Sequence, residues 1–223
     1  MRRLAQTGLL LLVFYIGVTP FQVMAQPVYG VQQDMHRELD TQQIRRWNDF
    51  VQNLLILHER LINQQVHVIK TRMGGDAHTP DFYKEFKYIN KKSNRLISQL
   101  RWEKAYPDNL HMINVYVHDE YGRVSRDYSA SYLVDYRQVP GQTLIRLHTY
   151  NGLLHATRSF DATGKLLMEN CTGRYNAKEI NIRLSGEVFD ERRSEKIAVL
   201  QSDTYKQCFK GLPVTAEKYL IPR

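Results

Sequence analysis

Catalytic signatures are what this chain lacks most clearly. No G-x-S-x-G, H-E-x-x-H, phosphate-binding glycine loop or dinucleotide fingerprint occurs in its 223 residues. That absence removes the common hydrolase, zinc-protease and nucleotide-dependent classes. Cysteine is nearly absent too, with two residues, Cys171 and Cys208, and no C-x-x-C spacing to suggest a thiolate metal site. Beyond residue 25 no apolar run approaches the roughly 20 residues that a membrane-spanning helix needs.

The one compact apolar run lies at the start. Met1-Arg2-Arg3 is basic, residues 8–18 (GLLLLVFYIGV) are apolar, and Val23-Met24-Ala25 precedes Gln26 as a small-residue cleavage site. This is the layout of a secretory signal peptide, and it predicts an exported mature chain starting near Gln26, periplasmic or secreted. No cysteine stands at the cleavage point to accept a lipid. Loss of Arg2 and Arg3 lowers the net charge from +8 to +6, an excess that favours anionic partners through long-range attraction. Export also discounts nucleic acid as that partner. In an oxidising compartment an even cysteine count predicts one bridge, Cys171 to Cys208.

Periodicity divides the remainder. Residues 26–39 are polar with Pro27 and Gly30, a flexible lead-in. Asp40 with Gln43 forms a variant capping box, and Ile44, Trp47, Val51, Leu54, Leu55, Leu61, Ile62, Val66, Ile69 and Met73 then recur at three- and four-residue steps. This predicts one long helix closed by Gly74-Gly75. His58 falls on its apolar arc, as a hydrogen-bonded core residue. Thr79-Pro80 reads as the start of a second helix, with Phe82, Phe86, Ile89, Leu96, Ile97 and Leu100 on one arc and Lys84, Lys87, Lys91 and Arg95 on the other. The two would make an antiparallel helical hairpin over 40–106.

From His111 the period becomes 2. Strands are expected over 111–118, 123–134, 143–150, 153–160, 165–171, 179–184 and 196–200, the clearest turn being Asn151-Gly152. Tyr128, Tyr132 and Tyr136 fall on the core side by parity. The predicted architecture is α+β: the N-terminal antiparallel helical hairpin packed on a C-terminal antiparallel β-meander over 107–223, a curved sheet or partial barrel forming one domain with the helices.

Two clusters could carry function. A two-residue Asn151-Gly152 loop sets His148 opposite His155 on one face, with Arg146 and Tyr150 beside them. The preceding hairpin adds Tyr116, His118, Arg123 and Asp127. Two imidazoles on facing strands could hold a divalent transition metal with His118 or Asp127 as third ligand, or His148 could serve as a general base. The plainer account is the solvated face of an antiparallel sheet. The second cluster is the basic arc Lys84, Lys87, Lys91 and Arg95, suited to an anionic surface or glycan. The balance favours a cell-envelope module acting by binding, with no cofactor, toward an anionic or amphipathic envelope component or a protein partner. The rival is a small secreted metal-dependent enzyme using His148, His155 and His118.

Overall fold

The computed structural model describes residues 41–75, 81–133, 138–185 and 193–223. All lie in one unit, Val31–Arg223. The signal peptide, the lead-in, the Asp40 cap, Tyr136 and the Thr79-Pro80 pair fall outside the described residues.

One helix, α1 (Thr41–Asn63), precedes nine strands: β1 (His67–Gly74), β2 (Tyr83–Asn90), β3 (Leu96–Glu103), β4 (Leu110–His118), β5 (Val124–Ser131), β6 (Gln142–Asn151), β7 (Leu154–Phe160), β8 (Leu166–Tyr175) and β9 (Lys178–Ser185). Two short helices follow, α2 (Arg193–Gln201) and α3 (Asp203–Cys208). The strands form one open antiparallel sheet in the order β1 to β9, each paired to the next in sequence.

The helical hairpin is therefore absent. The predicted first helix stops at Asn63, where Val66, Val68 and Ile69 bring β-branched crowding that favours extended backbone. His67 Nδ1 lies 3.1 Å from the carbonyl oxygens of Ile62 and Gln65, satisfying backbone groups left by the ending helix. The predicted second helix is the hairpin β2–β3. Its hinge carries turn chemistry that a helical wheel overlooks: Asn90 Oδ1 accepts the backbone N–H groups of Lys92 and Ser93 at 2.9 and 2.8 Å, and Asn94 takes a left-handed φ of 55°. A further correction concerns residues 196–200, expected as a strand, which lie within α2.

α1 packs on β3 and β4 through Trp47, Phe50, Val51, Leu54 and Leu57, all at most 3% exposed. They meet Leu100, Ile113, Val115, Tyr128, Ala130, Ile145 and Leu147 from the sheet. Burial of each large apolar side chain is worth about 1.5–3 kcal/mol. His58 joins this core, with Nδ1 2.8 Å from Ser98 Oγ and its ring edge-on to Tyr88, and burial, then His67, lowers its pKa to about 4. It is the neutral core histidine the pattern predicted.

The helix crosses its face of the sheet diagonally. Near its start, Asn48 Nδ2 donates to the Gln138 carbonyl beside β6, and its end runs straight into β1. That leaves two corners. The C-terminal segment covers one: Cys208 is bridged to Cys171 of β8. Buried Arg158 of β7 bonds Glu169 Oε1 at 2.6 Å and the carbonyls of Leu212 and Pro213 at 2.7 and 3.1 Å. The other corner, where β1 ends, β2 begins and β3 ends, carries no helix among the described residues.

Candidate functional site

The polar face of the sheet gathers most of the predicted histidine cluster. Tyr116 pairs with Asp127, and Asp127 with Arg146, across β4, β5 and β6. In β6–β7, however, Asn151 pairs with Leu154 and Tyr150 with His155, so His148 stands opposite Thr157 rather than His155. The loop is Gly152-Leu153, with Gly152 at φ 63° as the first central residue, the arrangement of a type II′ turn. Asn151 is engaged elsewhere. Its Nδ2 donates to the carbonyls of Gln207, Cys208 and Lys210 at 3.0, 3.3 and 3.1 Å and so closes the end of α3.

Because this displacement preserves parity, the histidines still share a face as diagonal neighbours. His148 Nε2 is 2.7 Å from Asp127 Oδ2, and His148 Nδ1 is 3.0 Å from His155 Nε2. A carboxylate accepts only, so His148 donates from Nε2, and its Nδ1 shares a hydrogen bond with His155 Nε2. The rings stack 5.3 Å apart, Tyr150 stacks on His155 at 4.6 Å, and Arg123 lies 4.5 Å from the Tyr150 ring centre. Arg146 holds the other Asp127 oxygen at 2.8 Å. Burial, then His148, lowers the His155 pKa. Asp127, His148 and His155 form a hydrogen-bonded chain. Among the described residues no hydroxyl or thiol bonds His155, and no group of three or more His, Cys, Asp or Glu side chains could hold a metal ion.

His118 stands away from this hydrogen-bonded chain. It lies in a cleft near Arg95, and its pKa is lowered by burial and by that guanidinium.

The basic arc disperses once β2 and β3 replace the helix. Lys84 lies on the α1 side, above the Phe86 ring at 5.1 Å. Lys87 lies on the opposite side, 3.6 Å from Glu85. Lys91 is in the β2–β3 turn, and Arg95 follows it. The four cations of the predicted arc therefore share no single face.

What replaces it is the open corner. Met73, Lys84, Phe86, Tyr88, Trp102 and Pro107 line a groove of about 550 Å³, with Glu103, Lys104 and Asp108 also in its wall. That size suits a small ligand, and the aromatic wall is accompanied by charges of both signs. Among the described residues no carboxylate comes within ion-pair distance of Lys84, whereas Lys104, also at the rim, is held by Asp81.

No family model matches this chain, no curated protein matches it in sequence, and no solved structure matches its fold.

Sequence reading missed the groove because Phe82, Phe86 and Ile89 satisfy helical spacing. The alternation in Lys84, Phe86 and Tyr88 was the available signal. The same error hid buried Glu85, which accepts Arg72 Nε at 2.5 Å, Arg101 Nε at 2.8 Å and the Gln99 amide.

Proposed function

We propose that this protein is an exported cell-envelope module that acts by binding, and that it holds an amphipathic anion, an apolar chain with an acidic head, in the groove at the end of β1–β3. The observation that carries this reading is a partly exposed apolar wall of Phe86, Trp102 and Met73, over which no helix lies among the described residues, beside Lys84, a cation with no ion-pair partner among them; the carboxylates Glu103 and Asp108 lie elsewhere in the wall. An acyl-type chain would lie along the aromatic wall, and its head would meet the ammonium. The Cys171–Cys208 bridge and the absence, among the described residues, of a helix long and apolar enough to cross a membrane fit export. Both ring nitrogens of His148 are engaged, by Asp127 and His155, which fits a stabilising role for that side chain.

Trp102 supplies the test, since the other tryptophan, Trp47, is 1% exposed. Titration with dodecanoate below its micelle concentration changes Trp102 emission saturably, W102F abolishes the change, and K84E weakens binding about five- to tenfold. Dodecyltrimethylammonium binds less well. Equal response to the two head charges, or no saturable response to either, contradicts the reading.

A further inference from the structure

At the opposite end of β2 and β3 lies a second cavity, of about 410 Å³, bounded by Leu61 at the end of α1, the β2–β3 turn and the last residues of β4. Its polar wall carries Lys92, Ser93, Arg95, Gln65, His118 and Asp119.

The charges do not balance within it. Asp119 lines the cavity but accepts Arg123 Nε at 2.9 Å, Arg123 Nη2 at 2.8 Å and the Arg123 backbone N–H at 2.8 Å, so its charge is already paired with a guanidinium. Among the described residues no carboxylate pairs with Arg95 or Lys92. Arg95 makes one long contact, Nη2 to the Tyr121 carbonyl at 3.4 Å.

Its position is nonetheless built into the fold. The guanidinium lies over the bare Cα of Gly122, where an added Cβ would come within 1.6 Å of Arg95 Cζ. Gly122 also adopts φ +82°, so the residue that forms the β4–β5 turn also makes room for the cation. The burial of His118 in the field of Arg95 lowers its pKa, with Asp119 opposing. Paired cations at a recessed wall concentrate positive potential, and an oxyanion is the chemical class that neutralises it.

We infer that this cavity is a binding site for a phosphate-type oxyanion, either the free ion or a compact phosphorylated headgroup, with Arg95 as the planar donor, Lys92 as the point charge and His118 and Ser93 as hydrogen-bonding walls. The backbone N–H groups of Lys92 and Ser93 take no part, because Asn90 Oδ1 already holds them. Arg95 offers the fork geometry that suits phosphate oxygens. The site is independent of the apolar groove, which lies at the other end of the same strands.

The test follows the His118 ring signals of the full-length protein by NMR through a pH titration, with and without inorganic phosphate or glycerol 3-phosphate. Binding raises the His118 midpoint, because the anion favours the imidazolium that Arg95 disfavours. R95Q lowers the affinity about tenfold, the loss of one charge-assisted hydrogen bond. G122A, which displaces the guanidinium without changing charge, lowers it too, while K87Q, on Glu85, leaves it unchanged. Tighter binding of glycerol 3-phosphate identifies a headgroup, and tighter binding of inorganic phosphate identifies the free ion. A His118 midpoint indifferent to both probes, or an R95Q protein of circular dichroism equal to wild type that binds equally well, overturns the inference.

Discussion

Glu85 offers the sharpest test of the energetics. Its side chain is 0% exposed, and burial alone would raise its pKa; the bonds from Arg72, Arg101 and Gln99 outweigh burial and hold it at about 2, against 4.5 for the free side chain. A carboxyl whose folded pKa lies below its unfolded value stabilises the fold above the unfolded pKa, and loses that contribution as pH falls toward the folded one. The full shift corresponds to about 3 kcal/mol, and the 59% exposure of Arg72 reduces it through solvent screening. Between pH 6 and pH 3 about 1–2 kcal/mol should be lost, the upper figure being the unscreened one. The assay is urea unfolding of wild type and E85Q at both values. E85Q is already weakened at pH 6, with three cations facing a neutral amide, and its stability changes less toward pH 3 by that amount. The exposed pairs Asp81–Lys104 and Asp119–Arg123 are common to both proteins and cancel in the difference. Parallel stability profiles for the two proteins would refute the assignment of this shift to Glu85.

Two further predictions concern the C-terminal segment. The disulfide closes a span of 37 residues, so replacing both cysteines by alanine should cost about 4 kcal/mol on the chain-entropy account, read in reversible denaturation; undiminished stability would show that the bridge constrains nothing. Arg158→Met leaves buried Glu169 without its cation, held by the Tyr205 hydroxyl alone, and frees the carbonyls of Leu212 and Pro213, costing about 3 kcal/mol and exposing the segment to limited proteolysis. The double change with Glu169→Leu recovers most of that stability, and a double variant no better than the single would contradict the pairing.

Legibility in the sequence followed the strength of competing local signals. Where alternation was strict and a turn was marked, as in β4 and the β6–β7 hairpin, strands stand close to their expected bounds. The Asn-Gly dipeptide located the turn but misjudged its register, because Asn151 caps α3 rather than occupying the loop, a tertiary use that no local rule contains. Parity survived the displacement, so Asp127, Arg146, His148, Tyr150 and His155 share one face. Residues 64–103 failed for a different reason: Val66, Ile69, Met73 and Phe82, Phe86, Ile89 fit helical spacing, while the deciding evidence lay in the alternation of Lys84, Phe86 and Tyr88, in the β-branched run and in Asn90 and Asn94. That one error displaced the basic arc and concealed the groove together. Cys171 and Cys208 were readable because they had only each other.

A crystal structure of the full chain with dodecanoate decides whether ligand enters the corner beside α1 proposed as the binding site. One ligand is expected there, with its chain against Phe86 and Trp102 and its carboxylate within ion-pair distance of Lys84 Nζ. A groove filled by the protein's own residues, or a ligand seated elsewhere with Lys84 facing solvent, would contradict it.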